Sequence, residues 1–270
     1  EMSGAVPIAP LLATATEHQA WSDPEMSRLI LISVVLICLA AFAVSNYGMN
    51  QSVRLHRYIT DSVLHRYLPP SMVDRAAAGE LRLDTPPERR VLTVMFTDVV
   101  GFTPLTERLG PEVIGGLLNR YLAEIADLAH EHGATIDKFI GDCVMIVFGA
   151  PEELEPEEQA RRCVALAAEI HQRVSELEME HPLEARTGIN TGEAVVGNFG
   201  SRARSDYTVL GPAVNIAARL ESASESGRIL MGEETARLLG DTVPLEPAGL
   251  LQLKGVSEPV NAYFLGSAST

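Results

Sequence analysis

Two aspartates stand where turns leave a carboxylate free to bind something. Asp98 closes a β-patterned run, residues 91–97 (VLTVMFT), and is followed by Val99, Val100, Gly101, Phe102 and Thr103. A carboxylate at a strand end, then a glycine-containing turn into a helix, suits a metal ion and a phosphate together, because the backbone N–H groups of such a turn can hold anionic oxygens. Asp142 follows Gly141 between two β-rich runs, 134–140 and 143–148, a pattern that predicts a hairpin. If the two strands are neighbours, both carboxylates converge. Two aspartates can then hold a pair of Mg²⁺ ions and still leave positions for phosphate and water. A turn aspartate also serves as a plain Asx residue bonded to its own backbone, and spacing alone leaves both roles open. Asn215 and Arg219 are four apart, so one helix face presents both. Capping and surface ion pairing are the alternative for that pair.

The elements that must position these groups alternate in type. Residues 111–132 have helical periodicity through Val113, Leu117, Leu118, Tyr121, Leu122 and Ile125. Residues 157–177 form a second amphipathic pattern, led by the acidic run EELEPEE (152–158), which reads as a solvated loop and helix start. Residues 184–190 and 193–196 predict a hairpin around Thr191-Gly192. Residues 207–210 predict a strand, and Gly211-Pro212 opens a helix to 220. Residues 229–231, 251–253 and 262–265 read as short strands, and GNFGSRARSD (197–206) as a polar, glycine-containing connection in which Arg202 and Arg204 are solvated charges. Such a mixture fits one sheet covered by helices.

Composition bounds the partners. The chain has 270 residues, enough for one or two domains, and its 46% hydrophobic and 21% charged residues exclude global disorder. Lys and Arg total 21 against 36 Asp and Glu, a net charge of -15. That balance lacks the electrostatic footprint of a nucleic-acid binder, so a phosphate ligand must be met by metal ions or a few local cations. The three cysteines, Cys38, Cys143 and Cys163, form no C-x-x-C pair, which excludes a disulfide framework and a typical structural zinc site.

The N-terminal region carries a membrane signal. Residues 29–44 (LILISVVLICLAAFAV) contain one polar residue, Ser33, and no charge lies between Arg28 and Arg54. Residues 29–49 are long enough to span a bilayer, with Tyr47 as an interfacial anchor. A buried core helix is the competing reading. Asp23 and Glu25 precede the span, while Arg54, His56, Arg57 and Arg66 follow it, so the C-terminal side is expected in the cytoplasm. Residues 1–28, with Pro7, Pro10 and Pro24, read as an irregular extracytoplasmic segment. Residues 50–88 read as a connector. Its helical stripe through Leu55, Ile59 and Val63 ends at Pro69-Pro70, and suits either pairing with its copy in a dimer or a plain spacer.

Five stretches, taken together, resemble the class III nucleotidyl cyclases: FTDVVGFT (96–103), DKFIGD (137–142), RTGINTG (186–192), YTVLGPAVNIAARLES (207–222) and LKG (253–255). They occur in the family's order, and residues 89–270 are read as the catalytic domain. The resemblance implies an α+β, ferredoxin-like βαββαβ core working as a head-to-tail homodimer with both active sites at the interface. It implies two Mg²⁺ or Mn²⁺ ions per site, held by Asp98 and Asp142 with the Val99 carbonyl. The turn Val99, Val100, Gly101, Phe102 and Thr103 would cradle the triphosphate, and Arg186 would contact phosphate from the same subunit. From the other subunit, Lys138 and Thr208 match the base-selecting pair, Asn215 the ribose-orienting asparagine, Arg219 the transition-state arginine and Lys254 a lysine reaching the triphosphate.

The base contacts imply ATP rather than GTP, since Lys138 can only donate and Thr208 can accept from the adenine amino group. Thr in place of the commoner Asp is similar to a Thr-type, class IIIb-like subgroup. The expectation is a membrane-anchored adenylyl cyclase of a bacterial inner or plasma membrane, making cyclic AMP for signalling, with its catalytic domain in the cytoplasm. The alternatives are a catalytically silent nucleotide-binding module and a guanylyl cyclase. Silent relatives usually lose a metal aspartate, the asparagine or the arginine, and all four residues are present here. Pro212 stands where many relatives carry a polar residue, and a helix start tolerates it.

Overall fold

The computed structural model describes residues 24–57, 86–176, 183–201 and 205–266. They fall in two compact units that divide between Arg66 and Tyr67. The first unit contributes one helix, α1 (Pro24–Arg57). It includes the expected 29–49 span and runs on through the first residues of the expected connector, because no proline or glycine interrupts residues 49–57. The stretch Pro24–Gln51 is long and apolar enough to cross a membrane, and none of it is buried within the protein. Its internal Ser33 hydroxyl donates to the Leu29 carbonyl at 2.8 Å, so this polar atom is satisfied within the helix. The rest of the expected connector, 58–85, and most of the expected extracytoplasmic segment, 1–23, lie outside the described residues.

The second unit is built on a twisted sheet. Its strands are β1 (Glu88–Val99), β2 (Thr135–Ile140), β3 (Cys143–Phe148), β4 (Ala185–Gly200), β5 (Ser205–Leu210), β6 (Ile229–Gly232), β7 (Leu245–Leu251) and β8 (Val260–Leu265). Its helices are α2 (Phe102–Leu109), α3 (Pro111–Glu131), α4 (Pro156–Glu176), α5 (Pro212–Ala223) and α6 (Glu233–Leu239). The strand order is β2-β3-β1-β4-β6-β8-β7, with β5 also on β4. Among the first four strands each hydrogen-bonded pair is antiparallel, with α2 and α3 between β1 and β2 and α4 between β3 and β4 in the chain. That is the expected ferredoxin-like βαββαβ arrangement.

Alternation along β1 sends Met95 to one face of the sheet and Val94 and Phe96 to the other. Met95 joins Tyr121, Ile125, Ile146, Phe148, Ile170 and Ile189 in the larger core, under α3 and α4. Val94 and Phe96 pack with Met145, Val147, Ala213 and Ala217 under α5. Burial on both faces explains why 91–97 reads as an almost unbroken apolar run.

Three expectations need correction. There is no hairpin at Thr191-Gly192: β4 is continuous and pairs with β1 from Val99↔Ala185 to Glu88↔Val196, with Leu92↔Gly192 and Thr93↔Thr191 in mid-ladder. The Thr191 hydroxyl is buried in bonds of 2.9 Å to Thr93 and to Thr235. Turning there would break the longest ladder in the sheet. The polar stretch 197–206 is largely strand, since β4 and β5 pair from Val195↔Leu210 out to Gly200↔Ser205. Residues 202–204, including Arg202 and Arg204, lie outside the described residues. The strand expected at 251–253 is β7, which ends at Leu251, and Leu253 is instead a buried side chain packed with Leu220, Leu230 and Ala262.

Candidate active site

Asp98 lies one residue before the end of β1 and faces Arg186 across the ladder to β4. The Arg186 guanidinium donates from Nη2 to Asp98 Oδ2 at 3.1 Å and from Nε to Glu221 Oε1 at 2.6 Å. Glu221 is 7% exposed and comes from α5. It reaches Arg186 because Gly188 lets the helix backbone lie directly on β4: a Cβ at that position would overlap the Glu221 backbone nitrogen. Gly141, at φ +69°, makes the tight turn that carries Asp142 between β2 and β3. Since β3 pairs with β1, with Thr97 opposite Val144, Asp142 arrives near Asp98 at the same end of the sheet. Burial first, and then the Asp98 carboxyl, push the Asp142 carboxyl up to about 7.

These same carboxylates raise the pKa of their neighbours. Burial, with Asp98 next in weight, pushes the Cys143 thiol up to about 12, so it is no nucleophile. The Tyr121 hydroxyl, from α3, is raised by burial and then by the charges of Asp98, Cys143 and Asp142. It is fully enclosed and has no hydrogen-bond partner among the described residues.

This donor set fits a hard divalent cation. Two neighbouring carboxylates, with one guanidinium shared with Glu221, leave a local deficit of positive charge that a proton or a cation must fill. Among the described residues no cluster of three or more His, Cys, Asp or Glu could hold a metal. Backbone carbonyl, phosphate and water oxygens would complete any shell around Asp98 and Asp142.

The turn after Asp98 supplies donors. Val100 N–H is committed to the Glu184 carbonyl at 2.8 Å. Gly101 takes φ +71° and ends the turn at α2, whose first residues are Phe102 and Thr103. No side chain caps α2. First-turn N–H groups have no partner inside a helix, so those of this turn point outward for an anion.

Lys138 and Thr208 meet at one carboxylate. The Thr208 hydroxyl donates to Asp137 Oδ2 at 2.9 Å, and Lys138 Nζ lies 3.2 Å from the same oxygen. Thr208 is buried, whereas the Lys138 side chain is 44% exposed. Asn215 and Arg219 are exposed on one face of α5. Two residues on, Glu221 points the opposite way, into the sheet. Lys254 is exposed just after β7. The side chains of Asn215, Arg219 and Lys254 make no hydrogen bond or ion pair with the described residues.

A single chain therefore gathers Asp98, Asp142 and Arg186 beside the α2 turn, joins Lys138 to Thr208, and leaves Asn215, Arg219 and Lys254 facing outward. Reading the sequence missed Asp137, Glu221 and Tyr121. Asp137 stood inside the DKFIGD motif, and its charge beside Lys138 was the available signal.

Residues 86–267 match the adenylate and guanylate cyclase catalytic domain. The chain belongs to that family. It is 34% identical over 185 residues to adenylate cyclase 1 of Rhizobium meliloti, covering 65% of this chain and 27% of that protein. The cyclase domain is also similar to the solved adenylyl cyclase CyaB from P. aeruginosa, at 42% identity and a TM-score of 0.65, over 68% of this chain and 98% of that one. The guanylyl cyclase Cya2 gives 37% identity and a TM-score of 0.60, over 68% of this chain and 96% of that one. The chain thus spans about a quarter of the Rhizobium protein's length. Adenylyl and guanylyl cyclases both stand among its relatives.

Proposed function

We propose that this chain is a membrane-anchored, Thr-type adenylyl cyclase that converts ATP to 3′,5′-cyclic AMP and pyrophosphate at sites shared by two copies. The observation that carries the reading is the strand register that brings Asp98 and Asp142 to one end of the sheet beside an uncapped helix N-terminus, in a domain of the cyclase family.

In the reaction the ribose 3′-oxygen forms a bond to the α-phosphorus, and the bond from that phosphorus to the bridging oxygen of pyrophosphate breaks. Asp98, Asp142 and the Val99 carbonyl would hold two Mg²⁺ or Mn²⁺ ions, which supply Lewis acidity at the reacting oxygens when bound. The Val99–Thr103 turn holds the β- and γ-phosphates through its outward N–H groups. Arg186, kept in place by Glu221, moves part of its charge from Asp98 to phosphate. Asn215 and Arg219 face away from the Asp98 side of their own chain, so they serve the site of the second copy, as do Lys254 and the base-reading Lys138 and Thr208. There Asn215 orients the ribose, and Arg219 neutralises charge that develops at the α-phosphate, a role worth roughly 10²–10³ in rate.

The preference for ATP is supported by Lys138, a pure donor, and Thr208, an acceptor, and by the adenylyl cyclases among the relatives. The anchor is supported by α1: a helix apolar all round belongs inside protein or lipid, and none of the described residues buries its apolar stretch. The charge asymmetry of its flanks favours a cytoplasmic catalytic domain.

The test is cyclic nucleotide formation by the full chain from ATP or GTP with Mg²⁺ or Mn²⁺, alongside Asp98→Ala. Turnover of ATP that falls about a thousandfold or more in the variant is expected. Faster turnover of GTP would replace the substrate assignment. No turnover of either nucleotide by a folded dimer would favour a silent nucleotide-binding module. For the anchor, the chain should stay with carbonate-washed membranes, and release into the wash would refute it.

A further inference from the structure

We propose that Asp137 is the positioning residue that sets which base this cyclase reads, by taking the hydroxyl hydrogen of Thr208 and holding the Lys138 ammonium beside it. The inference rests on the reading of Lys138 and Thr208 as the base contacts and deepens it.

The starting point is a break in strand register. Along β2, Ile136 pairs with Ile146 and Lys138 with Met145, so two steps on β2 match one on β3 and Asp137 is the extra residue of a bulge. In a regular strand neighbouring side chains point to opposite faces. A bulge re-aims them, and here Lys138 Nζ comes within 3.2 Å of the carboxylate of its own neighbour. The Asp137 side chain is only 4% exposed. Its carboxylate gathers two donors: the Thr208 hydroxyl at 2.9 Å and the Lys138 ammonium at 3.2 Å. The first belongs to β5, a strand whose ladder among the described residues runs to β4 alone. Asp137 therefore ties the bulge of β2 to the free edge of β5.

The chemical consequence concerns polarity. A threonine hydroxyl has one hydrogen and two lone pairs and can turn either way. With its hydrogen given to Asp137, Thr208 has only lone pairs left to offer, and it acts as an acceptor much as a carboxylate would. Lys138 has three hydrogens and no lone pair, and one of them is directed to Asp137. The pair then presents one fixed donor and one fixed acceptor. Adenine offers a ring-nitrogen acceptor beside an amino donor, which matches. Guanine offers a ring N–H beside a carbonyl, which opposes both groups. Without Asp137 the hydroxyl would be free to donate to the guanine carbonyl, and Lys138 would lose the contact that fixes its reach. A buried carboxylate in a core of this size needs such partners in any case. What distinguishes a reading role is that both side-chain partners are the base contacts themselves.

The experiment measures kcat/KM for ATP and for GTP in the full chain and in Asp137→Ala, with thermal unfolding as the check of folding. The expected result is an ATP-to-GTP ratio reduced about tenfold or more, carried mainly by the loss with ATP. A merely structural residue would lower both nucleotides together, so an unchanged ratio overturns the inference. If Asp137→Ala does not fold, Asp137→Leu, close in size and without any acceptor, is read by the same criterion: the ratio is expected to fall, and an unchanged ratio again overturns it. Thr208→Val and Lys138→Ala test the underlying reading separately. If these shift the ratio and the Asp137 variants do not, Asp137 alone is misassigned. If they leave the ratio unchanged, the base reading itself fails and this inference with it, whatever the Asp137 variants do.

Discussion

Asp142 is the group in the site through which pH acts on the metal-free protein. Its carboxyl is pushed up to about 7 by burial and by Asp98, while an unfolded aspartate titrates near ~3.9. The folded state thus binds this proton more tightly than the unfolded one. The stabilisation it gives is fully present below about pH 4 and is lost as pH rises through about 7. Metal-free protein should therefore melt at a lower temperature at pH 8 than at pH 5.5. The group is partly exposed, so the fall is a few degrees at most. Asp142→Asn should flatten part of the slope, with the remainder due to Asp137 and Glu221, whose carboxyls burial also raises. Added Mn²⁺ should restore the melting temperature at pH 8 in the native chain and not in Asp142→Asn. A native profile without that fall would show that Asp98 and Asp142 do not share a charge deficit. Asp98 and Asp142 were legible in the sequence because each sits at a turn whose signal is local. Asp137 and Glu221 were not: one depends on a bulge in β2 and the other on how closely α5 lies on β4, and neither leaves a mark in residue spacing.

At the scale of elements, the contact between α5 and β4 decides whether the site is assembled. It brings Glu221 to Arg186, and it is possible because residue 188 has no side chain. Gly188→Ala would force the Glu221 backbone away, since backbone has no rotamer by which to give way. The expected cost is roughly 3 kcal/mol or more, read as a lower urea midpoint, with activity falling further than the unfolded fraction explains because Arg186 loses its anchor. A variant with native stability and activity would mean the helix can slide without consequence. The same region shows why β4 was misread. Thr191-Gly192 has the composition of a turn, and local pattern reports turn chemistry without knowing what lies opposite. Twelve residues of β1 lie opposite, and the two ends of their ladder hold the strand straight. Helices α3 and α4 were legible at their full length, because each has one apolar face and meets one side of the sheet. The short α2 and α6 were not resolved as separate elements, since eight and seven residues carry too few turns for a period.

At the scale of the whole molecule, the proposed roles of the reacting groups call for a second copy. Asp98 and Arg186 meet within one chain with Asp142 near them, while Asn215 and Arg219 are exposed on the face of α5 opposite to Glu221 and make no hydrogen bond or ion pair with the described residues. In the proposed reading, one chain would hold the phosphate end of a site and present the ribose and transition-state groups outward. A head-to-tail pair brings each outward face to the other copy's carboxylates and makes two equivalent sites. This can be decided by mixing two inactive variants. Asp98→Ala loses the cation site, and Arg219→Ala loses the transition-state arginine, so each alone should be inactive as a homodimer. In a mixed pair one site carries both defects and the other carries neither. Random mixing of equal amounts makes half the dimers mixed, each with one intact site of two, so about a quarter of native activity should return. If Asp98 and Arg219 served the same site from the same chain, every site in the mixture would carry one defect and activity would stay at the level of the separate variants. Recovery near a quarter, and its loss on dilution below the dimer dissociation constant, would establish that the chain is half of a catalyst.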